Sequence, residues 1–266
     1  MTSAAAPAVS VEQVSRVFTR RRRPEVRALD GIDLTIPTGS RFGIVGESGS
    51  GKTTLMRLIA GLDSPTSGRI LLSGTDVAGI GRRELSSRLQ VVFQDPMGSL
   101  DPRMRVGEIV AEPLRVQGRD DIDLRVRAAL EQVGLDADVR KRYPHQFSGG
   151  QRQRISIARA VAPDPDILLA DEAVSALDVT VRATVLALLD RIAAERNLTL
   201  VFVSHDLSVI RRVCDRVAVL QNGTLVEAGT VEDVYGSPTA DYTRDLLAAV
   251  PTLQKSLAAA ERRAAT

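Results

Sequence analysis

The sequence predicts an α/β fold: a mostly parallel sheet, preceded by antiparallel strands and interrupted by a helical segment. Three observations predict it. Short apolar runs at 41–45, 166–171 and 198–204 alternate with helical patterns, as strands covered on both faces do. Residues 9–14 and 28–36 instead alternate apolar and polar side chains, the mark of antiparallel strands with one wet face. Between Val106 and Tyr143 strand signal is nearly absent, and apolar residues recur at helical spacing.

Taken in order, the two alternating stretches flank Phe18, in a chain with 3% aromatic residues and no Trp. An adenine ring could stack on its face, and ordinary core packing accounts for it equally well. The basic run Arg20-Arg21-Arg22-Arg23 precedes Pro24 and reads as a solvated hairpin tip rather than a binding patch.

Next comes Gly46-Glu47-Ser48-Gly49-Ser50-Gly51-Lys52-Thr53-Thr54, which fills every position of the G-x-x-x-x-G-K-[ST] phosphate-binding pattern. Its glycines let the backbone turn tightly and bring successive N–H groups toward phosphate oxygens. The helix that opens near Gly51 adds the positive end of its dipole. Lys52 supplies a charge for the outer phosphates and Thr53 a hydroxyl oxygen for magnesium. The context agrees: Arg41–Val45 reads as a buried strand before the loop, and residues 54–60 as a helix after it.

Residues 68–72 return as a strand, Arg82–Arg88 as a short polar helix, and 89–93 as a buried strand. In the helical stretch, Val106, Ile109, Val110 and Leu114 share one face, and Leu124, Val126, Leu130 and Val133 another. Past it, 166–171 is a strand ending in acid, Val179–Arg196 a helix and 198–204 a strand. Residues 216–220 and 224–227, joined through Asn222-Gly223, read as a hairpin at the sheet edge. The alanine-rich stretch from Pro251 reads as a short helix or frayed end.

Four elements thus follow apolar strands: the phosphate loop, Gln94, Asp171-Glu172 and His205. In open parallel sheets ligands bind at that carboxyl edge. Singly, Gln94 could cap a helix, the acidic pair could start one, and His205 could be structural. Together they describe a hydrolysis site. Asp171 would hold magnesium through water, Glu172 would polarise the attacking water, Gln94 would join the metal shell, and His205 would bond the terminal phosphate. Lys52, Gln94, Glu172 and His205 are the expected catalytic set, and Thr53, Gln94 and Asp171 the metal set.

Ser148-Gly149-Gly150-Gln151 is a second unusual element. Ser148 can cap a helix over 151–161, with the two glycines leaving its first N–H groups bare as an anion site. A helix leading away from the phosphate loop would meet an anion only in another chain's nucleotide.

Composition narrows the field. The chain has 266 residues, 44% hydrophobic and 26% charged, enough for a globular fold with a substantial core. A net charge of +2 makes no case for nucleic acid as a partner. The single cysteine, Cys214, excludes an internal disulfide or a cysteine-built metal cluster and suits a reducing cytoplasm. There is no charged-then-apolar leader and no apolar run near the length of a membrane span. Any tie to a membrane is expected to run through a partner.

The phosphate loop, Gln94, Phe-Ser-Gly-Gly-Gln at 147–151, residues 167–172, Ser175-Ala176-Leu177-Asp178 and His205, in this order, resemble the nucleotide-binding subunit of ABC transporters. The resemblance covers nearly the whole chain. It implies a P-loop NTPase with a RecA-like core, an N-terminal antiparallel β subdomain and a helical subdomain at about 95–163. The cassette would occupy 1–250 and a tail 251–266. It implies ATP with Mg2+, sandwiched between two such subunits, identical or paralogous, with Asp178 joining the nucleotide-binding set. Each ATP would lie between one subunit's phosphate loop and the other's Ser-Gly-Gly-Gln. It also gives Phe18 the adenine-stacking place. Closure would drive permease subunits, served by an extracytoplasmic substrate-binding protein, from the cytoplasmic face of the inner membrane.

Two further stretches are similar to the branch that powers dipeptide, oligopeptide and nickel uptake: Phe93-Gln94-Asp95-Pro96 with residues 99–103, and Ser237-Pro238 with residues 241–244 and Leu246-Leu247. Peptide is the expected cargo, with nickel or another small solute as the alternative. Phe147 stands where the wider family usually has Leu, which supports that branch. Ala173 replaces the usual Pro after Glu172, leaving that turn less restricted. The cysteine-containing tail of some peptide-uptake members is not expected here, nor any cluster they carry there. The rival reading is an ABC ATPase of DNA repair or translation, but paired cassettes, long coiled-coil or zinc inserts and basic patches are all missing. A cassette with a dead site is disfavoured by intact Lys52, Asp171, Glu172 and His205. The helical insert after Gln94 is expected to dock a permease helix, with Met97, Leu100 and Met104 as adaptable contacts.

Overall fold

The computed structural model describes residues 6–20 and 23–249. The chain opens with β1 (Val9–Arg20), β2 (Arg23–Ile36), β3 (Arg41–Val45), α1 (Lys52–Ile59), β4 (Ser67–Leu72) and β5 (Thr75–Asp76). It continues through α2 (Arg82–Arg88), β6 (Leu89–Val92), α3 (Pro96–Ser99), α4 (Val106–Gln117), α5 (Ile122–Gln132) and α6 (Gly149–Val161). Then come β7 (Ile167–Asp171), α7 (Val179–Arg196), β8 (Thr199–Val203), α8 (Leu207–Val213), β9 (Arg216–Gln221), β10 (Thr224–Thr230), α9 (Val231–Gly236) and α10 (Asp241–Ala248).

Successive side chains of a strand point to opposite faces, so a wholly apolar strand needs cover on both. That requirement shapes the molecule. The larger sheet has six strands in the order β10-β9-β3-β8-β7-β6. All its pairings are parallel except that of β10 with β9. Ile167, Leu169, Val201 and Val203 face a core shared with α1 and the smaller sheet; Leu168, Ala170, Leu200 and Phe202 face a second core shared with α4 to α8. The smaller sheet, β2-β1-β4-β5, is antiparallel. Its alternating pattern puts Val9, Val11, Ile32, Leu34 and Ile36 inward against α1.

The parallel core, the antiparallel sheet and the helices α3 to α6 spliced between β6 and β7 agree with the expected class. The basic run lies where expected, between the end of β1 and the start of β2, although Arg21 and Arg22 fall outside the described residues, as does the stretch from Pro251. The hairpin at the sheet edge is also present, with Asn222 (φ 49) and Gly223 (φ 81) in left-handed conformations at its turn.

Two expectations need correction. Leu124 does not share the inner face of α5 with Val126 and Leu130: it is 68% exposed. At 100° per residue Leu124 stands about 200° around the helix from Val126, so the two cannot face one core. Leu100, read as an adaptable docking contact, is only 1% exposed and belongs to the core beside α4 and α6.

Candidate nucleotide site

Parallel pairing brings the expected residues to one edge. The order β3-β8-β7-β6 sets four carboxyl ends side by side, with Ile44 opposite Val203, Asp171 opposite Val203, and Val92 opposite Ala170. Backbone bonds continue the ladder past the strand ends, from Ser204 N–H to Ile44 O (3.1 Å) and from Glu172 N–H to Val203 O (2.9 Å). The phosphate loop, Gln94, Asp171-Glu172 and His205 therefore leave the sheet as neighbours.

The phosphate loop is clamped from outside. Ser50 O accepts from Gly223 N–H of the β9–β10 hairpin at 3.0 Å. Gly46 (φ 148) and Gly51 (φ 104) lie in the region that favours glycine, and both are closely approached. A Cβ would meet Leu220 O at 2.2 Å from Gly46 and Ala28 O at 2.6 Å from Gly51, so neither position accepts a side chain. Gly49 faces open space, and Glu47, Ser48 and Thr53 are exposed.

Lys52 is folded back into the loop. Its Nζ donates to Gly46 O (2.8 Å) and Glu47 O (2.7 Å) and lies 3.4 Å from Ser50 Oγ. Burial lowers its pKa, opposed by the nearby carboxylates of Glu172, Asp171 and Glu47. Asp171 shows the converse: burial, then repulsion from Glu172, raise its pKa, and Lys52 opposes both. Its Oδ1 is buried without a hydrogen-bond partner. An orphaned acid oxygen of this kind calls for a ligand that the chain itself does not supply.

Gln94 lines the same cleft as Asp171, about 450 Å³ in volume, with Phe93, Asp95, Gly98, Ser99 and Arg159. Gln94 Nε2 donates to Ser175 Oγ at 3.2 Å. Among the described residues no group of three His, Cys, Asp or Glu side chains could hold a metal. Thr53, Gln94 and Asp171 offer oxygen donors with one carboxylate, a set that fits magnesium shared with phosphates and water rather than caged by protein.

Glu172 sits at φ 45, a left-handed conformation uncommon outside glycine, in a turn closed by Ser175, whose N–H and Oγ both bond Glu172 O at 3.0 Å. Ala173 is buried beneath it. Hydrogen bonds thus fix the turn that the usual proline would restrict. Glu172 Oε1 lies 2.9 Å from His205 Nδ1. Arg182 of α7 braces the same turn, donating to Ser175 O (3.4 Å) and Leu177 O (3.3 Å) while pairing with Asp206 at 3.3 Å.

The Ser148 element is a helix start, and α6 begins at Gly149 rather than at 151. Ser148 Oγ accepts from Gln151 N–H (3.3 Å), and Gln151 Oε1 accepts from Ser148 N–H (3.0 Å). This reciprocal cap leaves the N–H groups of Gly149 and Gly150 beyond the reach of any intrahelical carbonyl. A Cβ on Gly150 would meet Val181 Cγ1 at 2.4 Å, so glycine is what lets α6 approach α7. Phe147 is buried, with Arg142 over its ring at 4.4 Å. Asp178 caps α7 by accepting from Val181 N–H at 2.9 Å. Phe18, half-buried on β1 opposite Val26, carries the Arg16 guanidinium over its ring at 4.6 Å.

Ser175 and Arg182 carry weight that the sequence reading did not assign. Ser175 links Gln94 to the Glu172 turn, and its signal was its place three residues after Glu172. Arg182 was legible only as a cation in the first turn of a helix, where its bonds to loop carbonyls leave no trace in the pattern.

Comparison with known proteins agrees with this geometry. The ABC transporter family pattern matches residues 29–175. The oligopeptide transport ATP-binding protein OppF of Salmonella typhimurium is 46% identical over 233 residues, 85% of this chain and 70% of that protein. OppD of Mycobacterium tuberculosis, also named as an oligopeptide transport ATP-binding protein, is 50% identical over 88% of this chain, which spans 39% of its length. The ATP-binding cassette MJ0796, solved as a dimer in a post-hydrolysis state bound to ADP and Pi, superposes with a TM-score of 0.75 at 30% identity, over 84% of this chain and 98% of that one.

Proposed function

Because this chain belongs to the ABC transporter ATP-binding family, we propose that it is the ATPase subunit that powers a membrane importer of peptides. The observation that carries the cargo class is near-half identity to two oligopeptide transport ATP-binding proteins over most of this chain. Nickel or another small solute is the secondary cargo reading. The transport names of these relatives favour an importer over an ATPase of DNA repair or translation.

The site supports the following division of roles. The phosphate loop from Gly46 to Thr54 cradles the phosphates through its free N–H groups, Lys52 turns from the loop carbonyls to the outer phosphates, and Phe18 offers its ring to adenine. Thr53, Gln94 and Asp171 hold Mg2+, which supplies charge neutralisation on the phosphates when bound. Asp171 Oδ1, buried and unpartnered, fits that place. Glu172 takes a proton from water as the water oxygen bonds to the γ-phosphorus; the bond to the bridging oxygen breaks and ADP leaves with the electron pair. His205 orients Glu172 through Nδ1 and offers its other ring nitrogen to the terminal phosphate. Ser148, Gly149, Gly150 and Gln151 meet the nucleotide of a second cassette, and Asp178 lies at the same junction.

This reading takes residues 1–250 as one cassette, with about 95–163 as its helical arm, and 251–266 as a tail. The partners are a second ATPase subunit, permease subunits and, indirectly, an extracytoplasmic substrate-binding protein. Among the described residues no helix is long and apolar enough to cross a membrane, so attachment to the cytoplasmic face would rest on the permease. A groove of about 560 Å³ suits a permease helix: Leu62, Leu85, Pro113 and Val116 line it, and Arg159 joins it to the Gln94 cleft. Leu62 and Val116 are exposed there, as is Met97 at the edge of the arm, while Met104 is half-buried. Hydrogen exchange tests the dock. Backbone amides in 95–115 should gain protection in the assembled transporter relative to the free subunit, and no gain anywhere in that span would remove the docking role.

A further inference from the structure

We propose that Tyr242, on α10, is a positioning residue of the nucleotide site, holding the Glu47 peptide of the phosphate loop in place from the last described helix. The observation is a hydrogen bond across the fold. Glu47 N–H donates to Tyr242 Oη at 3.2 Å, while the carbonyl of the same residue accepts from Lys52 Nζ at 2.7 Å. The loop segment at Glu47 is thus held by the C-terminal helix on its N–H side and by the phosphate-loop lysine on its carbonyl side.

The helix that carries Tyr242 is itself anchored to the large sheet. Glu227 on the edge strand β10 accepts from Thr239 N–H (2.8 Å), Thr239 Oγ1 (2.9 Å) and Ala240 N–H (3.2 Å), which ties down the start of α10. Tyr242, Leu246 and Leu247 pack on the core, and Thr243 is 1% exposed. A tyrosine so placed has few rotamers to lose, and its ring reaches the loop at little entropic cost. A phosphate loop already held in one conformation binds its ligand without the cost of ordering it, so the Tyr242 bond raises nucleotide affinity rather than the rate of the chemical step.

The inference rests on the phosphate loop being the ATP site. Its test replaces Tyr242 by Phe, which keeps the packed ring and removes only the hydroxyl, and compares this with Tyr235→Phe. Tyr235 Oη, in the same C-terminal part of the chain, donates to Leu207 O at 2.6 Å, on α8 rather than on the phosphate loop. A fluorescent ATP analogue is titrated into the full chain and both variants, with melting temperature, the hydrolysis rate at saturating ATP and amide exchange at Glu47 measured alongside. Tyr242→Phe should raise the Kd about three- to tenfold, the effect of one lost hydrogen bond. It should also speed exchange at Glu47 and leave the saturated rate within about twofold. Tyr235→Phe should lower the melting temperature without moving Kd. A Kd unchanged in Tyr242→Phe while the unaltered chain binds nucleotide would overturn this role alone. An equal rise in Tyr235→Phe would show a merely structural effect and overturn it too. No binding by the unaltered chain would overturn both this role and the ATP-site reading.

Discussion

Replacing Glu172 by glutamine is expected to slow phosphate release by about a hundredfold or more while ATP binding persists. Glutamine has the same shape, so its amide can still reach His205, which lies 2.9 Å from Glu172 Oε1. The backbone at φ 45 and the Ser175 bonds to Glu172 O do not depend on the side chain's charge. What the substitution removes is the basic oxygen proposed to take the proton from water. Single-turnover phosphate release, with ATP binding titrated in parallel, separates the two effects. An unchanged rate in Glu172→Gln would remove the general-base role from this residue.

Lys52→Ala is expected to act earlier, on binding. Loss of a charged hydrogen-bonding group on the outer phosphates weakens ATP affinity by about ten- to a hundredfold. The buried Lys52 ammonium already gives up solvation, and Asp171, Glu172 and the Gly46 and Glu47 carbonyls hold it in place. In the proposed role the lysine exchanges these carbonyl partners for phosphate. Near-normal ATP affinity of Lys52→Ala in a calorimetric titration would count against that exchange.

Much of this arrangement is legible in the sequence because it depends on short-range rules. Apolar runs such as 198–204 announce buried strands, and the glycine spacing of the phosphate loop announces close backbone approach. The parallel order then brings the strand ends together without further information. What escapes is set by packing at a distance. The helices α8 and α9 span only 207–213 and 231–236, too short for an apolar period to stand out, although their caps, Asp206 and Thr230, are ordinary cap residues. Leu124 and Leu100 each looked like part of a usable face, and the turn of the helix in one case and the closing of the core in the other decided their burial. Nothing in the local sequence marks the left-handed backbone of Glu172, the Arg182 brace or the reach of Tyr242 to Glu47, since each depends on a partner far along the chain or on the whole turn.

Whether two chains share each site is tested most directly by an ATP-dependent crosslink between the phosphate loop and the Ser148 helix start. Cysteines would replace Ser48 and Ser148 in a chain also carrying Cys214→Ser and Glu172→Gln, and a thiol crosslinker long enough to tolerate imperfect geometry would be added. The positions suit the purpose: Ser48 is exposed, Ser148 begins a helix whose first N–H groups are bare, and the removed Cys214 is buried. With ATP the product should run as a dimer on a denaturing gel, and without ATP it should stay a monomer. If the natural partner is a different cassette, the dimer should form only when that chain carries the matching cysteines. Crosslinking within one chain, independent of ATP, would contradict the shared site by showing that the Ser148 helix closes on its own phosphate loop.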